Sequence, residues 1–243
     1  MFTIRRFNEL GNMQHSWLNA HYHFSFANYH DPRHMGLGPL RVINDDIVRA
    51  GGGFDMHPHQ DMEIITYVRE GAITHTDSLG NKGRTKAGEV QVMSAGTGIV
   101  HAEHNLESED TKLYQIWVYP RERGIQPRWA QRDFPTHIMD GSNDNRLPIL
   151  ASGLPEHEGH GALAIHADAA IFGGRLEKGK GLKQPLKGGA YLLVSKGRIE
   201  SNGHTLNAGD GAAIADMPLL ELTASEDAEL VLIDLPTVQY NVA

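Results

Sequence analysis

Two short patterns in this sequence bring metal-ligating side chains into register. His57 and His59 flank Pro58, and His101 and Glu103 flank Ala102. In an extended strand, side chains two residues apart point to the same face. With both pairs facing inward from neighbouring strands, three imidazoles and one carboxylate would converge on a single point. Imidazole and carboxylate together suit one divalent ion, with iron, manganese, nickel, copper and zinc all compatible. Four protein ligands leave one or two positions open on an ion that prefers five or six, and chemistry can take place there. The competing reading is four polar side chains that merely face a barrel interior. Without a metal they would be hard to satisfy there, so the metal reading is preferred.

The chain holds 15 histidines, so closeness in sequence alone singles out nothing. His15, His21, His23, His30 and His34 form a rival group, and His21 and His23 are also two apart. No pair with a carboxylate accompanies them, so surface or core-edge positions are expected, with His23 a candidate for the entrance of the metal pocket. His104 points by parity away from the set. His137, His157, His160 and His166 fall in or near a polar divider and are expected to be solvated. Phe24, Phe26, Tyr114 and Trp117 are expected in the core rather than as platforms for a substrate.

There is no cysteine, which excludes disulfides, thiolate metal sites and cysteine nucleophiles. A formal charge of −8 and a pI near 6.0 argue against broad affinity for a phosphate backbone. Arg121, Arg123, Arg128 and Arg132 are the one dense basic group, and a solvated loop is expected of them rather than a nucleic-acid surface. No apolar run approaches the roughly eighteen residues that span a membrane. Met1–Arg6 lacks the apolar core of a signal peptide, and a cytoplasmic location is the expectation.

The elements that would carry the two pairs are strands. Helical periodicity is poor, whereas short runs rich in Val, Ile, Tyr and Thr recur between Gly, Asp and Asn clusters. Leu40–Ile43, Met62–Val68, Val90–Met93, Leu113–Tyr119, Tyr191–Ser195 and Leu230–Asp234 read as strands, and Gly51–Gly53, Leu79–Asn81 and Ser201–Gly203 as turns. An all-β protein follows. From Thr136 to Gly161, polar residues with Gly141, Pro148, Gly153 and Pro155 mark a boundary or long connection. The halves on either side share a faint pattern. Arg69–Ile73 followed by Lys86–Glu89 matches Ser195–Ile199 followed by Asn207–Asp210, as a duplicated domain would.

Around the metal pairs the residues match two cupin signatures. Gly51, His57, His59, Glu63 and Gly71 follow the first, and Gly88, Gly96, His101 and Asn105 the second. Gly71 lies one residue late, Ser94 takes the place of a proline, and Thr97–Val100 sets His101 further from Gly96 than the usual spacing. These departures point to one branch. Gly53–His59, Asp61–Glu63 and Met93–Gly98 closely resemble the pirin family, as do His23–Tyr29, Arg41–Asp46 and Tyr114–Trp117. The resemblance is close over about the first 130 residues and general in the remainder.

The resemblance implies a bicupin: two packed β-barrels of the jelly-roll type with few short helices. Metal is implied for a barrel spanning residues 1–137 and none for a barrel spanning 138–243, where Lys180–Pro185 lacks a histidine pair and His204 stands alone. Carried over, the family's ligands are His57, His59, His101 and Glu103. Glu63, a ligand in many other cupins, is not one in pirins; its position four after His59 keeps it as a neighbour of the ligands. The implied activity is that of a metal-dependent dioxygenase of the quercetin 2,3-dioxygenase type, which opens a flavonol with O2 and releases carbon monoxide. Iron(II) is the metal expected first, and Glu103, on loosening from the metal, is expected to act as general base toward the substrate hydroxyl. Two other readings stand beside it: a redox-responsive regulatory protein with a protein partner and no turnover, and a cupin whose metal is structural. A monomer without direct nucleic-acid or membrane contact is expected.

Overall fold

The strands fall into two patterns of burial, and each pattern marks a place in the fold. Leu40–Val48, Glu63–Glu70 and Ala228–Leu235 are buried along nearly their whole length, as strands covered on both faces must be. Gly181–Pro185 and Leu219–Ala224 instead alternate buried and exposed residues, the period of a sheet with one wet face. The computed structural model, which describes residues 1–134 and 146–236, arranges these strands as two barrels. Its only helical elements among the described residues are the 3-10 turns Phe7–Glu9 and Pro155–His157.

Each barrel pairs a seven-stranded sheet with a four-stranded one. In the first, the larger sheet runs in the order Arg128–Asp133, Glu89–Ser94, Glu63–Glu70, Thr111–Val118, Leu40–Val48, Leu18–Tyr22 and Gly11–Gln14. The smaller runs Gly53–His59, Ile99–His104, Ala72–Asp77 and Lys82–Lys86. The second barrel repeats this plan, with Gly189–Lys196, Ala228–Leu235 and Ala170–Leu176 central in its larger sheet. Every strand read from the sequence is present, mostly one to several residues longer.

The duplicated pattern has a structural meaning. At Gly71 and Gly197 the chain leaves the larger sheet for the smaller, and both glycines take positive φ, +73° and +75°. A side chain would strain that backbone, so each barrel needs glycine at its corner. The sharing of strands was not legible. Phe2–Arg5 pairs antiparallel with Gly211–Ala215 and closes the second barrel, in the place that Arg128–Asp133 takes in the first. The division at 137/138 lies outside the described residues, as does His137. The expected divider is shorter than its composition implied: Ile149–Ser152 is already a strand of the second barrel, with Leu147 and Leu150 buried.

The two larger sheets pack back to back. Ile43, Ile65, Val92 and Ile116 of the first meet Ile171, Leu193, Val231 and Ile233 of the second in one core. Polar groups are paired within it. Asp45 forms a buried ion pair with Arg69, whose guanidinium lies 4.3 Å from the Tyr114 ring centroid, and Tyr67 donates to Glu229 across the junction. The clustered arginines lie at the solvent-facing rim of this junction, Arg121 and Arg123 in a loop and Arg128 and Arg132 on a strand. Arg121, Arg128 and Arg132 donate to the backbone carbonyls of Gly153, Ala164 and Gly161. Among the described residues, no helix is long and apolar enough to cross a membrane.

His23 is not at a pocket entrance. It is fully buried at the junction of the barrels, sharing a 2.9 Å hydrogen bond between its Nδ1 and the Tyr191 hydroxyl. Burial, with the positive charges of Arg5, His21 and Arg69 in support, pushes its pKa down to about 3. The unfolded chain takes up this proton near pH 6.5 and the folded chain only near 3, so stability is complete above 6.5 and falls as pH drops through that window. The loss is expected to reach about 1.4 kcal/mol per pH unit. Urea midpoints from about pH 7 to about pH 4 are expected to fall less steeply in His23→Gln than in the wild type; parallel profiles would place the proton uptake on other groups.

Candidate metal centre

The Gly53–His59 and Ile99–His104 strands lie side by side, with His57 opposite His101. Between His101 and Glu103 the register slips, so that Glu103 opposes Phe54. A bulge of this kind re-aims side chains, and here it leaves the ligand atoms of His57, His59 and His101 within 4.8 Å of one another. The two i, i+2 patterns therefore meet as their spacing predicts for the three imidazoles. The Glu103 carboxylate lies on their far side, grouped with the ligand atoms of His101 and His75.

All three rings have a reason to present a lone pair. His57 Nδ1 donates to the Asp55 carbonyl at 2.6 Å, since a carbonyl can only accept, and its Nε2 is left as the free donor atom. His59 is held down to about pKa 4 by burial and by its neighbour His57, and His101 to about 2 by burial and the surrounding imidazoles. Both are neutral at neutral pH. His101 is 2% exposed, and its Nε2 makes no hydrogen bond although it is buried. An orphaned buried nitrogen grouped with the ligand atoms of His57 and His59 is the donor set a divalent ion requires, and the residues fit one.

Support for His101 comes from residues the sequence reading passed over. Asp77 Oδ2 lies 2.9 Å from His75 Nε2, and both side chains are fully buried. A carboxylate only accepts, so that nitrogen carries the proton of the neutral His75, and His75 Nδ1 accepts from His101 Nδ1–H at 3.4 Å. The chain Asp77–His75–His101 thus fixes the tautomer whose Nε2 is free. His75 and Asp77 are themselves two apart on a strand, the same spacing that marks the two ligand pairs.

Glu103 is anchored from the facing sheet. Asn44, Gln115, Thr66 and Gln91 stand in one row across four strands. Gln91 donates to Glu103 Oε1 at 2.5 Å, Gln115 donates to Oε2, and Thr66 donates to Oε1 at 3.3 Å. Burial nonetheless outweighs these bonds and raises the carboxyl to about 7. Each amide is oriented in turn, Gln91 by Thr85 Oγ1 and Gln115 by Trp117 Nε1.

The histidines open onto a cavity of about 380 Å³ whose walls include Trp17, Phe26, Phe54 and Trp117. Phe26 and Trp117 are therefore wall rather than core, and Trp117 meets His59 edge-on at 4.9 Å. Phe24 and Tyr114 are core, as expected. Glu63 is not a neighbour of the ligands. Asp61, at φ +48°, breaks the strand between His59 and Glu63, and Glu63 turns to the junction of the barrels, accepting from Ser94 and from the His166 backbone. His104 points away from the set and pairs with Asp55, as parity predicts.

The second barrel offers no counterpart. On the two strands that match Gly53–His59 and Ile99–His104, it sets Leu182 against Leu222 and Gln184 against Leu220, and its interior is filled mostly by leucine, isoleucine, valine and alanine. His204 is exposed, and among the described residues every potential metal-ligating group lies in the first barrel.

Comparison with known proteins gives one family model for each half of the chain. A family model described as Pirin matches residues 3–118, and one described as Quercetinase C-terminal cupin domain matches residues 150–235. A pirin-like protein of Caulobacter vibrioides is 50% identical over 236 residues, covering 96% of this chain and 99% of its own. A quercetin 2,3-dioxygenase of Escherichia coli is 43% identical over 241 residues, covering 98% and 100%. The crystal structure of the bacterial pirin YhhW of Escherichia coli in complex with nickel(II) superposes with a TM-score of 0.89 at 42% identity, covering 98% of this chain and 100% of that one.

If His75 holds the His101 ring for a cation, the His75→Phe variant is expected to bind nickel(II) roughly 10–100-fold more weakly in calorimetric titration, with thermal stability little changed. Unaltered affinity would show that the ring is held by packing alone.

Proposed function

This chain belongs to the pirin family, and on that premise we propose that it is a metal-dependent dioxygenase of the quercetin 2,3-dioxygenase type, cleaving a flavonol or similar enolisable aromatic with O2. One divalent ion, iron(II) in the first instance, would be held by His57, His59 and His101 with Glu103 as the fourth ligand. The observation that carries the reading is the unpartnered Nε2 of His101 grouped with the imidazoles of His57 and His59, beside a cavity walled by aromatic rings. A structural metal would call for neither the cavity nor its aromatic lining.

A divalent ion here supplies Lewis acidity, which makes an enolic hydroxyl easier to ionise. The protein supplies the rest. Trp17, Phe26, Phe54 and Trp117 form a slot for flat rings and keep bulk water from them. Glu103, whose carboxyl burial raises, would accept the proton of the 3-hydroxyl once it loosens from the metal. Gln91 and Gln115 hold its oxygens in place while the proton is gained. The second barrel, lacking ligands, serves as the support of the first.

Metal-free protein loaded anaerobically with iron(II), then given quercetin and O2, is expected to consume the flavonol, followed as loss of its absorbance, while His57→Ala falls to background. Glu103→Gln is expected to retain its metal and lose turnover by roughly 10²–10⁴-fold, the usual worth of a general base. Full turnover in that variant removes the proton-acceptor role. Absence of turnover with iron, nickel, manganese, copper and zinc, each bound at one per chain, removes the dioxygenase reading and favours a redox-responsive protein partner.

A further inference from the structure

Trp129 is not a wall of the cavity, yet it touches the group that orients a ligand. Its ring lies over the His75 ring, with centroids 5.0 Å apart and planes 10° from parallel. His75 in turn meets His101 through their Nδ1 atoms at 3.4 Å and is bonded to Asp77 through Nε2. Trp129, His75 and His101 thus form a continuous series from a half-buried indole to the imidazole group.

The place for the indole is made by a glycine. Gly83 stands opposite His75 on the neighbouring strand, so the two positions share a face. A Cβ built on Gly83 would overlap the Trp129 ring. The backbone at Gly83 has no positive φ and does not itself require glycine. The missing side chain is therefore a matter of space, and the indole fills that space. The strand carrying Trp129 is fixed on both faces. Arg128 and Arg132 bond the Ala164 and Gly161 carbonyls of the second barrel, and Ala130 packs against the shared core. On the other face, Gln131 accepts from Thr85 at 3.3 Å and donates to the Arg84 carbonyl at 3.4 Å.

The stack supplies what the hydrogen bonds of His75 leave open. Bonds at Nδ1 and Nε2 both lie in the ring plane, so they place the edge of the ring but resist its tilting only weakly. A flat neighbour on the ring face resists tilt directly. Tilt would misalign the bond to His101, which is already long, and hydrogen bonds weaken steeply as their angle departs from linear. We propose that Trp129 is a positioning residue of the metal centre, holding the plane of His75 and through it the orientation of His101. This role rests on the metal reading of His57, His59 and His101 and is independent of the reaction carried out there.

The test is calorimetric titration of the metal-free, full-length protein with nickel(II), with the ligand-field absorption of bound cobalt(II) recorded alongside. Trp129→Leu is expected to weaken nickel(II) binding roughly 10-fold and to shift the cobalt(II) bands. Gly83→Ala, which takes the space of the indole, is expected to do the same. Trp129→Phe keeps a flat ring and is expected to restore most of both. In a His75→Phe background, Trp129→Leu is expected to cause no further loss, because the bond it protects is already gone. A purely structural role would give the same loss in both backgrounds. Should Trp129→Leu not fold, Gly83→Ala is read in its place, alone and with His75→Phe. Unaltered nickel(II) affinity in the variant so tested, or an equal loss with and without His75, overturns the role of Trp129. Absence of nickel(II) binding by the wild type overturns instead the metal reading beneath it.

Discussion

A carboxylate with almost no exposure sits in the middle of the first barrel, and much of that barrel is arranged around keeping it there. Burial alone would drive Glu103 from its place or leave it protonated at all working pH values. Two glutamines and a threonine, drawn from three adjacent strands, supply the donors that offset this cost. Each glutamine spends its other amide atom on a further partner, Thr85 or Trp117, so the amides cannot turn around. Trp117 is at the same time a wall of the cavity and an edge-on neighbour of His59. The buried acid, the imidazole group and the cavity wall are thus one connected network, in which each polar member fixes the next.

The second barrel shows what the same plan becomes without that network. Its corner glycine, its strand order and the pairing of the two ligand-bearing strands have counterparts, yet no histidine stands on the matching strands, whose inward pairs are Leu182 with Leu222 and Gln184 with Leu220. Its interior packs as a continuous apolar core, whereas the first barrel divides its apolar residues into two smaller clusters with the polar row and histidines apart from both. An uninterrupted core stabilises more per residue than a polar interior with a cavity in it. The C-terminal barrel can therefore act as a firm support, and the interface of isoleucines, valines and leucines between the larger sheets is how that support reaches the first barrel.

Much of this was legible in the chain, for reasons that can be named. The approach of His57, His59 and His101 was readable because strand parity is local, whereas the bulge after His101 that groups Glu103 with His75 instead was not. The corners at Gly71 and Gly197 were readable because the same short pattern recurs where the chain turns from one sheet to the other. His75 and Asp77 carry the same two-residue spacing and were within reach of the same argument. Gln91, Gln115 and Thr66 were not. Their partnership with Glu103 depends on cross-strand register among segments far apart in sequence, and glutamine by itself marks no chemistry. Glu63 was misread because the parity argument assumes an unbroken strand, and the left-handed residue Asp61 interrupts it. That Arg121 and Arg128 bond across the junction was not legible, because their partners are backbone carbonyls, which leave no trace in composition.

The larger sheet of the first barrel ties these observations together, because both of its faces are committed. Along each of its central strands, consecutive residues serve opposite sides. Asp45 pairs with Arg69 at the junction of the barrels while Asp46 faces the cavity. Tyr114 lies in the shared core while Gln115 holds Glu103. Tyr67 reaches Glu229 of the second barrel while Thr66 donates to Glu103. A slip of one residue would exchange every such pair, placing acids in the apolar interface and aromatic rings in the polar row. Packing against the second barrel therefore does more than add stability. It fixes the register on which the polar row, and through it the position of Glu103, depends.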